Sequence, residues 1–326
     1  MKEKKMRSTS AILSFLMIFA WGPIGMAADY PQKPIRMIVP WSAGGGNDIL
    51  ARALQAPLEK IMGQRVLIDN IPAGTTKVGT MELMKAKPDG YTLILSTTES
   101  WFGYYYSGTF ETKVVEQMVP LAIVASEPYG YVETRSDSSY KTWADVVKAA
   151  KENPGKLTCG SSGAGGMLEM IMNDISKASG IKTPRIVPFA GSGPSVVALL
   201  GGHTDLRVGQ VSASRAMYSA GKTRGLAIST DKRLASHPDV PTFKELGIGG
   251  TIVLTRSIWG PPKLPANLVN TITKMIEKAT KDAEFIKIVQ DQLSQTVDYR
   301  PPQTTREYVV NFDKEFGPRL AETFEK

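Results

Sequence analysis

The stretch Ile35-Arg36-Met37-Ile38-Val39-Pro40-Trp41-Ser42-Ala43-Gly44-Gly45-Gly46-Asn47-Asp48 decides the reading of this chain. An apolar run suited to a buried strand ends at Pro40, and small residues fill Ser42 to Gly46. Asn47 or Asp48 is then placed to cap a helix whose apolar positions Ile49, Leu50, Ala53, Leu54, Leu58 and Ile61 fall on one side. A strand, a glycine loop and a helix in this order present unpaired backbone N–H groups at the positive end of a helix dipole. No side chain blocks the approach, so the place suits an anion. The alternative is a plain strand-to-helix turn. Two familiar phosphate motifs are absent: Ile49 stands where a dinucleotide fingerprint needs its third glycine, and no Gly-Lys-Ser/Thr follows.

Working outward, strands alternate with helices. Arg65 to Asp69 and Tyr91 to Leu95 read as strands. Thr80 to Ala86 reads as a helix, with a turn at Lys87-Pro88-Asp89-Gly90. Leu121 to Ala125 and Tyr129 to Val132 read as two further strands. The pattern restarts with a Thr142-Trp143-Ala144-Asp145 cap. Leu157 to Gly160 then runs into the loop Ser161 to Gly166, and Arg185 to Pro188 runs into Phe189 to Gly193. Asp205 to Val208, Arg224 to Ser229 and Ile252 to Trp259 read as strands. The C-terminal part, Asn267 to Ala279, Ala283 to Leu293 and Thr305 to Phe324, reads as helical. Such alternation implies an α/β fold with mostly parallel sheets. Three Gly/Ser loops precede helices, at Ser42 to Gly46, Ser161 to Gly166 and Gly191 to Gly193. Facing one another across a cleft, their amides would capture a small carboxylate.

The N-terminus differs from the rest. Lys2, Lys4, Lys5 and Arg7 precede the apolar run Ala11 to Ala20, and Gly25-Met26-Ala27-Ala28 ends the segment. Residues 1–27 read as a secretory signal peptide, cut after Ala27 or Ala28. Its loss would lower the formal charge from +8 by 3, to +5. The remaining Lys and Arg are scattered, which argues against a nucleic-acid partner. The single cysteine, Cys159, excludes an internal disulfide and reads as a core thiol. An exported, unanchored chain belongs in a periplasm.

The ordered set of motifs also carries a resemblance. Tyr30-Pro31-Gln32-Lys33-Pro34-Ile35 leading into Ile38-Val39-Pro40-Trp41-Ser42-Ala43-Gly44-Gly45, with Asp48 and Ala51-Arg52, is one part of it. Lys87-Pro88-Asp89-Gly90-Tyr91-Thr92-Leu93, Gly191-Ser192-Gly193-Pro194 and Leu199-Leu200-Gly201-Gly202 with Asp205-Leu206 are others. Pro238-Asp239-Val240-Pro241-Thr242 with Glu245-Leu246-Gly247 completes it. Together they resemble the extracytoplasmic receptors of the tripartite tricarboxylate transporter family, the Bug receptors. The resemblance implies a two-domain periplasmic-binding-protein fold of type II, a "Venus flytrap". One domain would comprise residues 28–124 plus 232–326 and the other residues 125–231. It implies a monomer that binds a di- or tricarboxylate, an aromatic acid or an amino acid and delivers it to membrane permease subunits. No cofactor and no metal are implied. By position the ligand would meet Ser42, Ala43, Gly44, Gly45 and Asp48, then Ser161, Ser162 and Gly163, then Gly191, Ser192 and Gly193. Trp41 flanks the first loop.

This sequence departs from the family at Asn70-Ile71-Pro72-Ala73-Gly74-Thr75-Thr76-Lys77, where glycines are partly replaced, and at Ala190, where a polar residue is common. Arg207 ends a strand where an apolar residue is common; it would either fork a ligand carboxylate or pair with a neighbouring acid. Thr97 and Thr98 are candidate hydroxyl donors. Asp48 caps its helix or receives a ligand ammonium, and Glu99 reads as a surface carboxylate or, lining the cleft, as a second such partner. Lys77 reads as solvated, and His203 and His237 read as surface residues without spaced metal partners. Trp101 to Tyr106 reads as an aromatic loop that either packs or stacks on a ring-bearing ligand. Two other functions stand beside the receptor: an exported α/β hydrolase-like enzyme using Ser161 or Ser162, and a receptor repurposed as a sensor.

Overall fold

The computed structural model describes residues 30–325, so the signal-peptide reading of residues 1–27 lies outside the described residues. The chain opens with β1 (Ile35–Val39), α1 (Gly46–Met62), β2 (Val66–Asn70), α2 (Lys77–Lys85), β3 (Thr92–Thr97), α3 (Thr98–Tyr106) and α4 (Val114–Gln117). The long strand β4 (Val119–Arg135) follows, then α5 (Trp143–Glu152), β5 (Thr158–Ser162), α6 (Met167–Ala178), β6 (Arg185–Phe189), α7 (Ser192–Leu200), β7 (Leu206–Gln210), α8 (Val211–Ser219) and β8 (Thr223–Ile228). The last part holds β9 (Val253–Gly260), α9 (Ala266–Ala279), α10 (Ala283–Lys287) with a π turn after it, β10 (Thr296–Arg300) and α11 (Pro302–Phe324).

The strands run in the order β2-β1-β3-β9-β4-β7-β5-β6, with β8 and β10 also pairing β4. Each wing is parallel, β1 with β2 and β3 on one side, β5 with β6 and β7 on the other. Between them β9 and β4 run antiparallel to their neighbours. β4 serves both wings: it pairs β9 from Val119 to Pro128 and β7 from Tyr129 onward. The two strands expected at Leu121 to Ala125 and Tyr129 to Val132 are therefore one. Its register shifts between Tyr129 and Tyr131. Gly130 sits at that shift with φ +129, and a Cβ there would lie 3.2 Å from Ile171, Phe243 and Ser229. Both the dihedral and the crowding favour glycine. Ser229 Oγ donates to Tyr129 O at 2.8 Å and to Ile252 O at 3.1 Å, tying the other connection between the wings beside this bend.

One core lies under α1 and α9, with Ile35, Met37, Leu50, Leu54, Leu58, Leu93, Ile272 and Ile276 buried together. A second core spans both wings, and the aromatic stretch of residues 101–106 is part of it. The expectation of an aromatic loop is corrected: these residues form helix α3. Trp101 packs edge-on against Trp259 at 5.7 Å and donates through Nε1 to Thr80 Oγ1, and Phe102 lies 5.2 Å from Phe312. Trp101, Phe102 and Tyr104 are each 1% exposed, so their area stabilises the core and none of the three faces a ligand.

Candidate functional site

A cavity of about 140 Å³ lies where the two wings meet. Its floor is the loop after β1. Gly45 is the N-cap of α1 in extended conformation, and Gly46 and Asn47 form the first turn. Asp48 is held behind the loop. It accepts from Gly44 N at 2.8 Å and from Arg52 Nε, and is 3% exposed. Burial pushes its carboxyl up, but the bonds from Arg52, Gly44 and Asn70 outweigh it and hold it below the usual range. Asp48 thus steadies the helix start and does not line the cavity. Gly44 has φ +76 with open space where a Cβ would go, so backbone rather than side chain faces the cavity.

The opposite wall is the start of α7, with Gly191 (φ +148), Ser192, Gly193 and Pro194. Ser42 Oγ donates to Ala190 O at 3.3 Å across the gap. Ser192 Oγ donates to Gln210 Oε1 at 2.7 Å, which joins α7 to the start of α8, where Ser212 and Ala213 add to the lining. Thr97, the N-cap of α3, closes one side and Trp41, whose Nε1 donates to Ser96 Oγ at 3.1 Å, another. The N-terminal turns of α1, α7 and α8 and the N-cap of α3 therefore meet at one small space. The first N–H groups of a helix have no intrahelical partner, and their dipoles add a positive potential. Arg256 of β9 completes the wall. It is 2% exposed and bonds Glu127 through Nη2. Among the described residues, no acidic side chain lines the cavity. The space suits a small acid, being well below the roughly 300–1,000 Å³ of pockets that take drug-sized ligands.

The structure brings together nine of the residues singled out from sequence: Trp41, Ser42, Ala43, Gly44, Gly45, Thr97, Gly191, Ser192 and Gly193. Six others lie elsewhere. Asp48 is described above. Thr98 Oγ1 is spent on Ser257 Oγ at 2.8 Å. Ser161 and Ser162 end strand β5; Ser161 is fully buried and donates to Gly163 O at 3.0 Å. Gly163 faces Tyr104, whose Oη would lie 2.7 Å from an added Cβ, so the second glycine loop seals against α3 rather than opening on the cavity. Arg207 is fully buried in a network. Nη1 donates to Glu133 Oε1 at 2.7 Å and Ser214 Oγ at 2.9 Å, and Nε to Ser195 Oγ at 2.8 Å. Of its two readings, the structure shows the internal ion pair.

Two solvated readings are also corrected. Glu99 is fully buried, accepting from Thr255 N at 3.0 Å, Thr255 Oγ1 at 2.7 Å and Tyr308 Oη at 2.6 Å. Burial outweighs these bonds and raises its carboxyl above the ordinary glutamate value. His237 is fully buried and stacked on Tyr218 at 4.0 Å; burial lowers its pKa to about 4. Sequence reasoning missed Gly46, Asn47, Pro194, Gln210, Ser212, Ala213 and Arg256. The first three merely extend loops already identified. Ser212 and Ala213 belong to α8, which went unread because its segment Val211–Ser219 mixes good helix formers with serines and follows Gln210, which gives no capping signal. Nothing in the sequence marks Arg256, which is one basic residue within an apolar strand.

Comparison with known proteins agrees with this fold. A family model described as the tripartite tricarboxylate transporter family receptor matches residues 50–315. The UPF0065 protein of the TAR-I ttuE-ttuC' intergenic region of Agrobacterium vitis is 30% identical over 280 residues, covering 85% of this chain and 80% of that protein. The structure of the periplasmic binding protein BugD superposes with a TM-score of 0.77 at 25% identity, covering 90% of this chain and 97% of that one. The malate-bound MatC of Rhodopseudomonas palustris superposes with a TM-score of 0.80 at 22% identity, covering 91% of this chain and all (100%) of that one.

Proposed function

The chain belongs to the tripartite tricarboxylate transporter receptor family. On that premise, we propose that it binds a small organic carboxylate in the cavity between its wings and delivers it to the membrane permease of a tripartite transporter. The observation that carries this reading is the convergence of the N-terminal turns of α1, α7 and α8, the N-cap of α3 and one buried guanidinium on a space that no acidic side chain among the described residues lines. The malate held by the Rhodopseudomonas relative is in keeping with such a ligand.

The reading includes a division into two lobes. Residues around Pro128 to Gly130 of β4, and the connection from Ser229 to Ile252, are where the chain passes between them, so closure would turn there. It places the protein in the periplasm, directed there by residues 1–27. No helix among the described residues is long and apolar enough to cross a membrane. Binding without turnover is supported by the state of Ser161, buried and bonded to Gly163 O rather than to a base.

Isothermal titration and thermal-shift screening test the reading, using di-, tri- and aromatic carboxylates and amino acids. The expected result is saturable binding of at least one carboxylate, unaltered after incubation, with a rise in melting temperature that follows mass action. A panel in which no carboxylate shifts the transition would contradict it, as would hydrolysis abolished by Ser161→Ala.

A further inference from the structure

Beside the cavity the two wings touch through three glycines, none of which has room for a side chain. Gly103 lies inside α3. A Cβ there would sit 2.8 Å from Met167 N and 2.9 Å from Gly166 Cα, so the middle of α3 rests on the backbone at the start of α6. A Cβ at Gly163 would lie 2.7 Å from Tyr104 Oη, and one at Gly165 would lie 2.5 Å from Ser107 Oγ. Glu169 Oε1 accepts from Gly165 N at 2.7 Å, which fixes the loop for this approach. Both halves of the contact reach the cavity. Thr97, at the head of α3, lines it, and Gly163 N donates to Phe189 O at 2.8 Å, two residues before Gly191.

The contact continues along α6. Phe102 of α3, Met170 and Ile171 of α6, and Phe316 and Leu320 of α11 are buried in one apolar core. Arg319 Nη2 donates to Asp174 Oδ2, and Lys177 Nζ to Glu322 Oε1 at 3.0 Å, joining α11 to α6 toward their C-terminal ends. These pairs are partly or mostly exposed, so the apolar packing carries the contact and they add little. In the two-lobe division above, α3 and α11 belong to one lobe, and α6 with its preceding loop to the other. Lobes joined by chain crossings alone move freely. A large, dry interface between them permits only small sliding of the packed helices.

We propose that the seating of α3 on residues 163–167 is a latch that keeps the lobes closed before any ligand arrives, so that exchange with the cavity waits on the release of α3. Gly103, Gly163 and Gly165 act as positioning residues that set the closed arrangement. The proposal goes beyond the carboxylate reading and does not depend on which compound binds.

Small-angle X-ray scattering of the mature, ligand-free protein tests it, with circular dichroism as the check on folding. The wild type is expected to give the profile calculated from the closed structure. Gly103→Ala should shift to a larger radius of gyration with an unchanged dichroism spectrum, because the methyl meets backbone that cannot turn aside. Without the latch the same substitution would only favour the helix. Gly165→Ala should also open the protein, and adding Ser107→Gly should close it again. The strain at φ +68 is common to the single and double variants, and only the room for the methyl differs. A ligand-free wild type more extended than the closed structure overturns the proposal, as does a folded Gly103→Ala as compact as the wild type. A Gly165→Ala that stays compact, or one that Ser107→Gly fails to close, overturns it whether or not Gly103→Ala folds. None of these results touches the carboxylate reading, which the binding screen decides separately.

Discussion

Replacing Arg207 with methionine separates a structural cation from a ligand-binding one. Arg207 and Glu133 both have side chains at 0% exposure, and their contact is 2.7 Å. The substitution removes that pair and the bonds to Ser195 and Ser214, leaving Glu133 with the hydroxyl of Ser214 as its recorded partner. An uncompensated buried charge costs about 3–5 kcal/mol. Native domains hold only about 5–15 kcal/mol in total, so the loss is a large fraction of stability. Urea unfolding followed by tryptophan fluorescence and far-UV circular dichroism measures it. The expected result is a destabilisation of about 3 kcal/mol or more, with most of it recovered in the double variant Arg207→Met/Glu133→Leu, which leaves no charge unpaired. Carboxylate affinity at a temperature where the variant is folded should stay within about threefold of the wild type, since Arg207 does not line the cavity. Wild-type stability together with a tenfold or greater loss of affinity (about 1.4 kcal/mol) would refute the argument and return Arg207 to the ligand.

Gly44→Asp and Gly44→Ala form a pair in which both residues meet the same φ of +76 and open space. Backbone strain of about 1 kcal/mol is common to both, so affinity lost only in the aspartate variant reports charge repulsion at the cavity floor; equal affinity in the two would remove the loop from the site. His237 should make the fold acid-sensitive. Its pKa is about 4 in the folded protein against an ordinary value of about 6.5, so the unfolded chain binds the proton first and stability falls as pH drops from about 6.5 toward 4. His237→Phe keeps a ring against Tyr218 and removes that titration; its melting temperature relative to the wild type should rise on acidification, and a constant difference across this range would contradict the assignment.

The parts of the site that could be read beforehand are those written in local chemistry. The loop at Ser42 to Gly46 and the one at Gly191 to Gly193 join a strand to a helix through residues too small for anything else, and both reach the cavity. The loop at Ser161 to Gly166 has the same composition and a different fate. It turns against Tyr104 of α3, a contact between residues far apart in sequence. Arg207 and Arg256 were equally opaque, because a lone basic residue in an apolar strand is decided by partners, here Glu133 and Glu127, that lie 74 and 129 positions away. Glu99 looked solvated because its partners Thr255 and Tyr308 come from β9 and α11. In the fold, the parallel wings followed from strand–helix alternation. The antiparallel middle did not, since Ser126-Glu127-Pro128 interrupts the apolar pattern and reads as a break between two strands, whereas β4 runs through it and crosses from one wing to the other at Gly130.

A crystal structure with a tightly bound carboxylate tests the central claim most directly. The account predicts an acid oxygen within about 2.7–3.2 Å of backbone N–H groups at the starts of α1 and α7, directly or through one ordered water. A ligand seated in the groove along α11 beside Tyr308 and Phe312, or beside Tyr218 and Thr223, with the cavity at Gly44 and Ser192 left to solvent, would contradict it.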